Sequence, residues 1–160
     1  MVKLRRVLPV LMVIAGAALA AKPDPTGDWL VHDGTAVIRI VPCGEVLCGS
    51  VAWTKDEGGF DENNPDPAKR NRPILGLPIL LGMKAASDGR WEGEVYNAEN
   101  GKTYSSRIWL KSDDVLRIEG CVLGFLCGGE DWTRTAQLEV PADRAPAPPH
   151  AKAGTAPKAK

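Results

Sequence analysis

An all-β fold, with eight antiparallel strands closing into an up-and-down barrel, is what this sequence predicts, and three observations carry that expectation. Residues 90–121 alternate apolar and polar side chains through three consecutive strands with short turns. Turn-forming residues such as Asp33-Gly34, Asp88-Gly89 and Asn100-Gly101 recur between the alternating runs, as hairpin connections require. No amphipathic run is long enough for a domain-building helix. Closing such a sheet removes the edges that a flat one would expose; a two-sheet sandwich is the alternative.

The N-terminus is set aside first. Lys3, Arg5 and Arg6 precede an apolar run from Val7 to Ala17 and then Ala18-Leu19-Ala20, the pattern of a secretory signal peptide cleaved after Ala20. The run is too short for a membrane anchor, so the expected product has no transmembrane segment. Removing those three basic residues leaves 17 against 20 acidic ones, a balance that gives no support for nucleic-acid binding, which needs a basic face. The expected organisation is signal peptide 1–20, barrel domain 21–140 and a disordered Ala/Pro/Lys-rich tail 141–160. In that tail Arg144, Lys152, Lys158 and Lys160 stand against Asp143 alone. Such a tail cannot bury enough apolar surface to order itself; it is read as a solvated extension, with docking on an anionic envelope component as its functional alternative.

Within the domain, Trp29 to His32 reads as the first strand and Ala36 to Val41 as the second. The third is expected to place Val51 opposite Ile40 and Trp53 opposite Ile38. Cys43 and Cys48 would then face each other across the loop Gly44-Glu45-Val46-Leu47. Four cysteines in an exported chain imply two disulfides with three possible connectivities; the local pairs Cys43–Cys48 and Cys121–Cys127 are favoured because each brackets a short turn. A four-thiolate metal site lacks the usual two-residue spacing, and no metal or cofactor is expected.

Alternation stops from Lys55 to Pro78. Asn64 or Asp66 is placed to cap a short helix through Pro67 to Arg70, which Pro73 would stop. Loops this long are commonly functional, so Asp61, Asn64, Arg70 and Arg72 are candidate binding residues, with a self-bonded lid as the structural alternative.

The fourth strand spans Ile79 to Ala86. The turn at Ala98-Glu99-Asn100-Gly101 then fixes a register with Trp91 facing Ile108, Val95 facing Tyr104 and Asn97 facing Lys102. Slipping it by one residue would oppose Glu92 to Ile108. The turn Ser112-Asp113-Asp114 sets Lys111 opposite Val115, Leu110 opposite Leu116 and Arg107 opposite Glu119. The last strand runs from Glu130 to Leu138. The apolar face carrying Trp53, Trp91, Tyr104, Ile108 and Leu116 either lines a ligand cavity or fills the interior.

No catalytic constellation is legible. His32 and His150 are the only histidines, no G-x-S-x-G stretch exists, and Glu92 and Glu94 share one strand face with Arg107 accounting for the first. Asp61, Asn63 and Asp66 lack the pattern of a calcium loop.

Gly27-Asp28-Trp29 on the first strand with Arg134 on the last resembles the lipocalin superfamily, in which such a tryptophan and arginine close the barrel base. More specifically the chain resembles an exported bacterial family catalogued as domain of unknown function 2147. The matching features are Cys43-Gly44, Leu47-Cys48-Gly49 with Trp53, Asp61 to Asn64-Pro65 with Arg72-Pro73, Trp91-x-Gly93 with Tyr96-Asn97, Gly101-Lys102-x-Tyr104 and Trp132-x-Arg134. The resemblance implies export to the periplasm and a lipocalin-like fold, but no activity. The functional expectation is a periplasmic module that binds a small apolar or amphipathic envelope molecule; an envelope-docking protein using the 56–78 loop and the tail is the alternative, and a carboxylate hydrolase a remote one.

Overall fold

The computed structural model describes residues 24–56 and 58–136; the signal peptide and tail inferred from the sequence lie outside the described residues. Eight strands follow one another: β1 (Gly27–Leu30), β2 (Ala36–Cys43), β3 (Val46–Thr54), β4 (Pro78–Ala85), β5 (Trp91–Asn97), β6 (Lys102–Ser112), β7 (Val115–Val122) and β8 (Leu126–Thr135). Each pairs antiparallel with its sequence neighbour, and β8 returns to β1, so the sheet is a closed up-and-down barrel.

The N-terminal start of β1, the β2–β3, β4–β5 and β6–β7 turns and the C-terminal end of β8 share one end of the barrel, which is the base. Trp29 is fully buried there, opposite Arg134 in register. The Arg134 guanidinium stacks 4.1 Å from the indole centroid and donates to the carbonyls of Asp113 at 2.6 Å and Thr26 at 2.7 Å. The indole Nε1 donates to the Pro25 carbonyl at 2.8 Å. A planar cation with five donors can stack and bind several carbonyls at once, so this pair ties the two chain ends of the barrel together.

The β5–β6 register is the one the Asn100-Gly101 turn implies, from Trp91↔Ile108 through Asn97↔Lys102. Above the base, inward-facing residues stack in rows. Leu110, Leu116 and Trp132 form the lowest, followed by Trp91, Ile108, Ile118 and Glu130, and then by Gly93, Ser106, Gly120 and Gly128. Leu116 and Ile108 are fully buried and Trp132 nearly so. On the outer face Arg107 bridges Glu119 at 2.9 Å, and Arg117 and Lys111 share Asp131 at 3.3 and 2.7 Å. Glu92 forms no salt bridge among the described residues.

Two registers differ from expectation. The β2–β3 hairpin turns at Gly44-Glu45 alone, with Gly44 at φ 79°, so Cys43 pairs with Val46 and Cys48 with Val41. The Cys43–Cys48 disulfide therefore lies diagonally, with its Cα atoms 5.8 Å apart. Ile40 then faces Gly49, Ile38 faces Val51, and a bulge at Val37/Ile38 sets Val37 opposite Trp53. In the β6–β7 hairpin a bulge sets Ser112, not Lys111, opposite Val115. Strand ends move as well: β1 starts at Gly27 and stops at Leu30, and β8 starts at Leu126, directly after the turn spanned by Cys121–Cys127.

Candidate functional site

The end of the barrel opposite Trp29 stays open. A cavity of about 660 Å³ occupies this upper half, within the range of small-molecule sites. Two members of the row of small residues open into it. Gly120 and Gly128 face each other in register and both line the cavity; a Cβ at Gly128 would meet nothing within 4 Å. Across the barrel the wall is Ile38, Val51 and Ile79, and nearer the mouth Val95, Tyr104, Val122 and Leu126 continue it.

Two connections shape the mouth. The long β3–β4 loop contributes Ile74 to the lining and is held by a buried polar knot. Asp61 is completely buried and Asn64 nearly so. The Tyr96 hydroxyl donates to one Asp61 oxygen at 2.5 Å, while Asn64 Nδ2 and Arg72 Nη2 donate to the other at 2.7 Å each. Burial pushes the Asp61 carboxyl up, but these hydrogen bonds outweigh it and hold it below the usual carboxylate value. Burial, and then the adjacent Asp61, push the Tyr96 phenol above its ordinary value. Arg70 Nε donates to the Asn64 carbonyl at 2.8 Å. A single 3-10 turn, Pro67–Lys69, follows, capped by Asp66. Asn63 reaches the β5–β6 turn through the Glu99 carbonyl at 2.9 Å. Its own carbonyl lies where a Cβ on Gly101 would be, only 1.9 Å away, and Gly101 has φ +67°, so no other residue fits there.

The second connection is the β7–β8 turn, which presents Val122, Leu123, Phe125 and Leu126, with Leu123 80% and Phe125 71% exposed. The Cys121–Cys127 disulfide pins its two strands with Cα atoms 4.0 Å apart. Apolar surface thus continues from this tip through Val122 and Leu126 into the cavity.

The model of a family described as uncharacterized proteins conserved in bacteria, DUF2147, matches residues 27–134. The chain belongs to that family. The match spans the closure pair, both disulfides, the knot and the whole cavity of this DUF2147 barrel. A solved structure described as protein HP1028 from the human pathogen Helicobacter pylori, which belongs to the lipocalin family, is similar with a TM-score of 0.64 at 20% identity, covering 71% of this chain and 84% of that one. That likeness is one of fold. Among curated proteins none matches.

Of the residues singled out from the sequence of this DUF2147 member, Tyr104 lines the cavity. Ile108 and Leu116 belong to the packed core beneath it, and Trp91 packs against that core. Trp53 corrects the expected inner face: the shifted β2–β3 register leaves it 40% exposed and away from the lining. Asp61, Asn64, Arg70 and Arg72 gather in one network whose hydrogen bonds run mainly to one another and to Tyr96. Sequence reasoning missed Ile38, Val51, Ile74, Glu130 and Trp132 as lining. For Glu130 and Trp132 the signal was present: extending the β6–β7 register across the Cys121–Cys127 turn puts Glu130 opposite Ile118 and Trp132 opposite Leu116.

Proposed function

We propose that this chain is an exported, periplasmic binding module that takes up a small apolar or amphipathic molecule through the open end of its barrel. The observation that carries the reading is the division of the interior. Ile108 and Leu116 are fully buried in the packed core, whereas a cavity of about 660 Å³, lined as far down as Ile118, Glu130 and Trp132, has mostly apolar walls and an apolar lip. Burying an apolar ligand there is favourable by roughly 25 cal/mol per Å² removed from water. The disulfides support an oxidising compartment, and the basic leader with its small-residue end supports export. Among the described residues no helix is long and apolar enough to cross a membrane.

The reading is tested by expressing the full chain with its own leader, recovering it from the envelope fraction and recording native mass spectra. A stoichiometric small-molecule adduct that is lost on denaturation is the expected result. A bare mass, together with no uptake of the neutral apolar dye N-phenyl-1-naphthylamine, rejects it. The basic tail, by its charge, fits a supplementary contact with an anionic envelope component; unchanged envelope retention after deleting residues 141–160 removes that role.

A further inference from the structure

The cavity's charge is one-sided. Asp33, Glu99 and Glu130 line it, and among the described residues no lysine, arginine or histidine does. Asp33 and Glu99 sit at the rim, in the β1–β2 and β5–β6 connections, and the Asp33 carboxylate is held by Thr35, accepting from the hydroxyl at 2.6 Å and the amide at 3.0 Å. Glu130 sits deeper, on the inner face of β8 between Gly128 and Trp132. Trp132 Nε1 donates to its Oε1 at 2.5 Å, which orients the carboxylate; its other oxygen accepts nothing from the described residues. None of the three carboxylates forms a salt bridge among the described residues. Opposite Gly120, Ser106 is buried and its hydroxyl has no hydrogen-bond partner among the described residues, but it does not reach the cavity lining.

All three carboxylates are reached by solvent, but a carboxylate still favours a cation and repels an anion, and among the described residues no basic side chain lines the cavity beside them. Resting on the binding reading above, we propose that the ligand is an apolar molecule bearing one cationic amine, its head against Glu130 and its apolar body running between Val95, Tyr104, Val122 and Leu126 to the mouth. Anionic amphiphiles such as fatty acids and alkyl phosphates are disfavoured. The neutral arms of the pocket serve the body, and the acidic wall selects the head.

The test compares three ten-carbon probes of equal length, decylammonium, 1-decanol and decyl sulfate, by calorimetric titration of the full mature chain at concentrations below micelle formation. The expected order is decylammonium tightest, with an advantage of about tenfold or more over decyl sulfate. Glu130→Gln, which retains an acceptor for Trp132, is expected to lower decylammonium affinity about tenfold and leave 1-decanol unchanged; Glu92→Gln, on the outer face, is expected to change neither. If all three probes bind alike, or decyl sulfate binds best, the head-group inference is overturned while the binding module stands. If Glu130→Gln weakens decylammonium and 1-decanol equally, the carboxylate is not the selector and the inference fails. If no probe binds, the binding reading falls and this inference with it.

Discussion

Replacing Asp61 by asparagine removes a buried negative charge that accepts three hydrogen bonds, and the cost can be worked from the geometry. Hydrogen bonds to a charged group contribute about 1.5–3 kcal/mol each, and breaking a buried ion pair by removing one partner costs about 3–5 kcal/mol. The Arg72 side chain is 40% exposed, so solvent screens its share toward the roughly 0–1 kcal/mol of a surface pair. The Tyr96 and Asn64 bonds are both buried, and asparagine keeps one acceptor but turns an amide toward at least one donor. Together these give an expected loss of about 2–4 kcal/mol. Urea unfolding of the mature chain, followed by tryptophan fluorescence, reads it. Tyr96→Phe alone is expected to cost about 1–2 kcal/mol, and the double variant less than the sum, with a coupling of about 1 kcal/mol or more, since contacting residues are non-additive. A loss below about 1 kcal/mol for Asp61→Asn, or strict additivity with Tyr96→Phe, refutes the knot as the device that holds the long loop.

Because the folded Asp61 carboxyl titrates below its ordinary value, its contribution is fully present above the unfolded carboxylate pKa of about 3.9 and is lost as pH falls through the folded value; acid titration of Asp61→Asn should therefore show a shallower stability loss below about pH 4 than the parent, and equal slopes contradict this. Arg134→Ala removes the stack on Trp29 and the bonds to Asp113 and Thr26, and thermal unfolding should show a loss of about 2–3 kcal/mol, with Arg134→Lys recovering only part. Converting Cys121 and Cys127 to alanine opens a short loop, with a chain-entropy cost of about 2 kcal/mol, and should also accelerate amide exchange in residues 122–126; unchanged exchange argues against the disulfide as the staple of the apolar lip.

The sequence made the β5–β7 meander legible because two independent signals coincide there: Asn100-Gly101 admits a tight turn, and the resulting pairing puts Trp91, Ile108 and Ile118 on one side. The β2–β3 register was not legible in the same way. Reading the two cysteines as directly opposed implies a four-residue loop, whereas Gly44 supports a two-residue turn, and each choice keeps some apolar alternation. Gly49 decides it, since Leu80 fills the space that a side chain there would occupy, at 3.0 Å from an ideal Cβ, a tertiary fact absent from local pattern. The loop knot was half legible. The polar residues of the 61–72 segment stand out, but their partner Tyr96 lies more than thirty positions away. The cavity was the least legible feature, because emptiness comes from what Gly120 and Gly128 lack, and from the register that aligns them.

On the proposed function, a ligand enters the open half of the barrel and occupies the space that Gly120 and Gly128 leave. Gly128→Trp addresses this most directly, since a side chain at that position points into open space and meets no neighbour at its Cβ. Titrating N-phenyl-1-naphthylamine into the parent and the variant, with unfolding curves for both, should give saturable one-to-one binding to the parent, loss of at least about tenfold in affinity for the variant, and stability unchanged within about 0.5 kcal/mol. Equal dye affinity in a folded Gly128→Trp protein would contradict the account.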